Sequence, residues 1–161
     1  MTQAQRAFFP DTEPDADALR LDRTLTYRLH ALHKITDQVS QQAYLRGAGL
    51  SLSDGRCLAA VGSFAPLSVN DLAQRANLTK SQASRATQAL VDQGLVDKAD
   101  HPEDRRGVVL TLTPQGREVW ERTMALIERR NQDIFGGLSA QERATLGALF
   151  DRLIAHNRNG R

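Results

Sequence analysis

Residues Ser68–Gly94 read SVNDLAQRANLTKSQASRATQALVDQG, and the way this stretch is punctuated decides the fold. Ser68 with Asp71, and Thr79 with Gln82, each set a hydroxyl three residues ahead of a side chain that can reach back. That is the spacing of a capping box, which satisfies the orphan N–H groups at a helix start. Leu72, Ala73 and Ala76 form the inward face of the first helix, and Ala83, Ala86, Leu90 and Val91 that of the second. Only Asn77–Thr79 separates the two. Helices joined by so short a turn approach closely, and the alanines are small enough to allow it. Gly94 falls where a left-handed C-terminal residue is expected. The pattern predicts a helix-turn-helix.

Downstream of Gly94 the apolar period changes from 3.6 to 2. Leu95–Ala99 and Val108–Thr113 flank the polar stretch DHPEDRRG, which predicts a β-hairpin with a long tip. Val108, Leu110 and Leu112 share one face of the second strand. Thr113-Pro114 then reads as a cap followed by proline at the first helical position. The helix it opens carries Val119, Trp120, Met124, Ile127, Ile134 and Phe135, and ends at Gly136-Gly137. Ser139 and Glu142 repeat the capping box before a last helix striped with Leu146, Leu149, Phe150, Leu153 and Ile154. Upstream, SLSD at Ser51 begins a helix with Cys57, Leu58 and Val61 on one side, closing at Gly62–Pro66. Before it, Leu21, Leu25, Leu29, Leu32, Ile35 and Val39 mark a helix over about 19–45, ended by Gly47 and Gly49. Residues 1–17, with two prolines and several acids, read as a flexible N-terminal arm.

The expected fold is mainly α with a small β-hairpin wing. A winged helix-turn-helix over 50–113 is flanked by helices over 18–47 and 114–158. The apolar stripes of those outer helices are too wide for one small winged domain to cover, so a two-fold dimer is expected to bury them.

Composition sets limits around this reading. A chain of 161 residues, 40% hydrophobic and 25% charged, suits one domain with a single core. No run approaches the length of a membrane span, and the N-terminus lacks the basic-then-apolar order of a signal peptide. A lone cysteine, Cys57, excludes an internal disulfide, and no Cys/His cluster has zinc spacing. A cytoplasmic setting follows, with no cofactor, no metal and no membrane partner. The net charge of +2 says little about nucleic acid; Lys occurs only at 34, 80 and 98, and arginine supplies the remaining bases.

Placement says more than net charge. Lys80, Ser81, Gln82, Ser84, Arg85 and Gln88 point away from the inward face of the Thr79–Gly94 helix. These residue types hydrogen-bond base edges: Arg to guanine O6/N7, Gln to adenine N6/N7, Ser to either. They lie in the first turns, where a recognition helix enters the major groove. At the hairpin tip Asp104 stands beside Arg105 and Arg106, and a flexible arginine tip suits the narrow minor groove. Double-stranded DNA is the expected partner.

Residues Leu50–Gly116 also resemble the winged helix-turn-helix of the MarR family of bacterial transcription regulators. The resemblance rests on an LAxxxxL third helix, the QALVDQGLV passage into the wing, Asp-x-Arg at Asp104–Arg106 and the LTLTPQG exit. The flanking helices fit as well. Asp97-Lys98 departs from the pattern, since an arginine often follows the Gly-Leu-Val. The resemblance implies a homodimer. Its two-fold symmetry would read a pseudo-palindromic operator, and a repressor is expected because occlusion of a promoter by a dimer requires no further parts. The resemblance also implies a small-molecule effector, often an aromatic or phenolic acid, held between the dimerisation helices and the winged domain. Candidate contacts are Tyr27, Arg28, His30, His33, Arg56 and Phe64, with arginine or histidine pairing a carboxylate and an aromatic stacking on a ring.

Other readings stand beside this one. Cys57 is a redox sensor if reactive, but a thiol in a buried helix has a raised pKa and is inert, so core packing is the expected role. His30 and His33 have metal-ligand spacing without an acidic or thiol partner nearby. No catalytic constellation is visible, which sets a small enzyme aside. A helical interaction protein that does not bind DNA is the remaining alternative.

Overall fold

The helix starts follow the side-chain signals closely. In this computed structural model, which describes residues 20–100 and 108–159, the hydroxyls of Ser51, Ser68, Thr79 and Thr113 each accept the backbone N–H three residues on. They open α2 (Leu52–Phe64), α3 (Val69–Arg75), α4 (Lys80–Asp92) and α5 (Pro114–Phe135). At Ser139 the bond is reciprocal: Glu142 N donates to Ser139 Oγ and Ser139 N donates to a Glu142 carboxylate oxygen, opening α6 (Ala140–Asn159). Hydrogen bonds from the Ser139 N–H, first, and from the Ser139 side chain hold the Glu142 carboxyl below its ordinary pKa.

The first helix, α1 (Leu25–Ala48), departs from expectation at both ends. It begins later because Thr24 caps it, accepting Tyr27 N at 3.2 Å, and residues Leu21–Arg23 form a separate 3-10 turn. It ends later because Gly47 keeps a helical conformation; the turn is made instead at Gly49, whose φ of 70° is left-handed. The described residues fall into two compact units, divided between Ile35 and Thr36 within this helix. In the first unit Leu21, Leu25, Leu29 and Ile35 are exposed, Leu25 by 81%.

The second unit holds the core. Leu50, Leu58, Val61, Leu72, Leu90 and Leu110 are each at most 2% exposed, and Cys57 lies among them with no exposure at all. Helix α2 is the central member, packing against α3, α4, α5 and the hairpin. Two glycines let aromatic rings lie directly on it. A methyl at Gly55 would strike the Tyr44 ring and one at Gly62 the Trp120 indole, whose Nε1 donates to Ala59 O at 3.3 Å. Tyr44, with no place in the apolar stripe read from sequence, is the buried aromatic of α1.

Strands β1 (Val96–Asp100) and β2 (Val108–Leu112) pair antiparallel, from Val96 opposite Leu112 to Asp100 opposite Val108. The ladder starts at Val96 rather than Leu95 because the Leu95 N–H is already committed. It donates to Leu90 O at 2.9 Å while Gly94 N donates to Val91 O, and together with Gly94 at φ 67° these bonds form a Schellman motif. A third segment touches the hairpin: Leu67 and Leu110 exchange backbone hydrogen bonds. One residue preceded by proline carries no strand pattern, so this bridge has no signature in the sequence. The predicted wing-tip residues Asp104, Arg105 and Arg106 lie outside the described residues, as do residues 1–17 of the predicted arm. Among the described residues no helix is long and apolar enough to cross a membrane.

Candidate nucleic-acid interface

The α3–α4 pair is held close by its alanines. Ala73, Ala76, Ala83 and Ala86 are all buried where the helices approach, and Leu78 N donates to Ala73 O at 2.9 Å across the turn. Asn77 adopts φ 53°, a left-handed conformation that asparagine tolerates better than most residues. Thr87 is buried on the inner face of α4, where a hydroxyl would be costly if unpaired; it donates to Ala83 O at 2.8 Å.

The opposite face of α4 is exposed along its length. Lys80, Ser81, Gln82, Ser84, Arg85 and Gln88 all face solvent, as the sequence predicted. Residues 81, 85, 88 and 92 recur at helical spacing and form its outermost row. Neither Lys80 nor Arg85 forms an ion pair among the described residues. No acid stands in its first turn, so the positive end of the helix dipole is not offset by a carboxylate.

The two glutamines prove to be different instruments. Gln82 Oε1 accepts both Thr79 N at 3.0 Å and Thr79 Oγ1 at 2.9 Å, completing the capping box. Its carbonyl oxygen is therefore occupied by the cap. Gln88 Nε2 donates to Asp92 Oδ1 at 2.7 Å. Asp92 stands at i+4 from Gln88, one helical turn on along the same face.

The residues proposed to touch an effector are distributed over both units. Tyr27, Arg28, His30 and His33 lie on exposed positions of α1 in the first unit. Arg56 and Phe64 lie on α2 in the second, and both are engaged within the chain. Arg56 Nη2 pairs with Asp37 Oδ1 at 2.8 Å, and the Arg75 guanidinium sits 4.6 Å from the centre of the Phe64 ring. Among the described residues no group of three or more His, Cys, Asp or Glu is placed to hold a metal ion. Burial, with a smaller contribution from the Asp54 carboxylate, pushes the Cys57 thiol up to about 12. At neutral pH such a thiol carries almost no thiolate, the species that reacts with oxidants.

A helix pair joined by a tight turn, its second helix exposed on one polar face and followed by an antiparallel hairpin, defines a winged helix-turn-helix, a DNA-binding class. Residues 48–107 match the model of the MarR family, and the curated proteins similar to this chain include HTH-type transcriptional regulators. The HTH-type transcriptional regulator BilQ of Clostridium symbiosum is 25% identical over 109 residues, covering 68% of this chain and 76% of that one. The chain spans about half the length of two further curated relatives. A MarR-family regulator from Silicibacter pomeroyi superposes with a TM-score of 0.73 at 25% identity, covering 85% of this chain and 92% of that one. BpsR of Bordetella bronchiseptica shares the fold at 23% identity and a TM-score of 0.77, covering 84% of this chain and 96% of that one.

Proposed function

We propose that the protein is a cytoplasmic homodimeric repressor that reads a pseudo-palindromic operator and is released by a small aromatic acid. The observation that carries the DNA reading is the outer row of α4, with Ser81, Arg85 and Gln88 exposed beside Lys80 and Ser84. Arg85 takes a base edge in the major groove, Ser81 and Gln88 take neighbours, and Lys80 takes a phosphate. From the sequence, Arg105 and Arg106 add wing contacts to the same duplex, with Asp104 orienting them.

The dimer rests on apolar surface. Leu25, Leu29 and Ile35 on α1 are exposed, and so, separately, are Leu149, Leu153 and Ile154 on α6. A two-fold pair covering such faces would set its two α4 helices about one DNA turn, roughly 34 Å, apart. The effector class is suggested by BpsR, whose structure is described as a mechanism for regulation of its DNA binding by 6-hydroxynicotinic acid. Tyr27, Arg28, His30, His33, Arg56 and Phe64 are the proposed contacts.

The test is binding of the purified chain to a randomised duplex library at several salt concentrations. Two-fold symmetric enrichment with affinity falling steeply in salt is expected. Arg85→Ala should relax one position in each half-site at a cost of about 1–3 kcal/mol. Absent or salt-insensitive binding would instead favour a helical interaction protein. Leu29→Arg should shift the sedimenting species toward monomer, and a thermal-shift screen of aromatic acids should identify the effector class by raised stability.

A further inference from the structure

From the hydrogen bond between Gln88 and Asp92 we infer that Asp92 is a specificity-determining positioning residue. It sets the direction in which the Gln88 amide meets DNA and selects adenine over guanine at one position in each half-site. The inference rests on α4 being the reading helix.

An unconstrained glutamine is ambiguous as a reader. Its amide turns over readily, offering either a carbonyl and one N–H or the whole NH₂ group to a base edge. Adenine presents N7 as acceptor and N6 as donor, and suits the first arrangement. Guanine presents two acceptors, O6 and N7, and suits the second. Asp92 removes the ambiguity, because a carboxylate can only accept. The 2.7 Å contact therefore requires Nε2 to face Asp92. Oε1 is left on the other side of the amide with one N–H beside it, the pattern adenine takes. Guanine at that position would set its O6 against Oε1, and turning the amide over to relieve that repulsion would place Oε1 against the carboxylate.

The geometry makes this coupling persistent. Residues 88 and 92 are one helical turn apart on the same row, so no backbone change is needed to keep the bond when the helix enters a groove. Both side chains are exposed, so removing the carboxylate leaves no buried group unpaired. Asp92 is also the last residue of α4, so its charge sits at the end of the reading face, away from the first turns that enter the groove.

The experiment is selection from a randomised duplex library by the full-length protein, comparing wild type with Asp92→Asn, Asp92→Glu and Gln88→Ala. Relative enrichment is the readout, because it cancels the uniform gain in affinity that loss of a negative charge brings. Wild type should prefer adenine over guanine about tenfold at the position that Gln88→Ala makes indifferent. Asp92→Asn, whose amide can pair with Gln88 in either orientation, should bring that preference to within about threefold. Asp92→Glu should restore it, since the carboxylate is kept within reach. A profile for Asp92→Asn that matches wild type overturns the inference while leaving α4 as the reading helix. A wild-type motif with no position sensitive to Gln88→Ala also overturns it. Failure of the wild type to enrich any sequence overturns both the inference and the functional reading beneath it.

Discussion

Gly116→Ala sets two well-measured effects against each other. Gly116 lies in the first turn of α5, where alanine is worth about 0.5–1 kcal/mol more than glycine by helix propensity. A methyl group there, however, would fall inside the contact distance of the Leu95 carbonyl oxygen and 2.8 Å from its carbon. That carbonyl is backbone and cannot rotate aside; it accepts Thr113 N at 3.2 Å, while the Thr113 hydroxyl accepts Gly116 N at 2.8 Å. Relief of the clash requires α5 to move from the base of the wing. The forced shift costs about 1–3 kcal/mol as overpacking, and the weakened cap and hydrogen bond about 1–2 kcal/mol more. Against the propensity gain, the net loss is about 1–4.5 kcal/mol, a fall in Tm of about 2–18 °C for a chain of this size. Thermal unfolding followed by circular dichroism measures it, with Gly137→Ala as control, since a methyl there meets nothing within 4 Å. A Gly116→Ala protein that melts at or above wild type would refute the close approach and the reasoning from it.

Other outcomes are expected in the same assays. Thr79→Ala removes the capping box of α4 and should cost about 0.5–2 kcal/mol in denaturant titration, with Thr79→Ser close to wild type. Arg56→Ala breaks the pair with Asp37, but both side chains are about a third exposed, so the loss should stay under about 1 kcal/mol. Cys57 gives a pH dependence with a definite sign. Its folded pKa of about 12 lies above the reference value of 9.0, so the unfolded chain loses this proton first. Stability should be full below about pH 9 and decline as pH rises toward 12. Cys57→Ala should show a flatter alkaline decline in urea unfolding, whatever its stability at neutral pH. At neutral pH the wild-type thiol should resist iodoacetamide until urea unfolds the chain, and rapid labelling of the folded protein would contradict its burial.

Reading order from the sequence worked where a local chemical rule had only one structural solution. A hydroxyl followed three residues later by a polar side chain marked the starts of α2, α3, α4 and α6, and Thr113-Pro114 marked α5. The alternation of Val108, Leu110 and Leu112 marked the wing, and Gly94 the end of α4. What escaped was settled by partners distant in sequence or by competition for one atom. Tyr44 is buried because Gly55, on another helix, leaves room for its ring. Leu67 joins the hairpin by two backbone bonds that any residue could make. On the reading face, residue types were correctly placed outward, but their free donors and acceptors were not legible. Composition names an amide; only the structure reveals that Thr79 has taken the carbonyl of Gln82 and Asp92 an N–H of Gln88.

Thr113 joins three elements within a few ångströms. Its hydroxyl donates to Gly94 O at 2.7 Å and accepts from Gly116, and its N–H reaches Leu95 O. The end of α4, the root of the wing and the start of α5 are thereby bolted at one corner. Helix α5 runs 22 residues from that corner, about 33 Å. Mechanically it is a crank, and a tilt of about 5° at the corner moves its far end by about 3 Å. Read in reverse, a displacement of that far end is delivered to the corner where α4 ends and the wing begins.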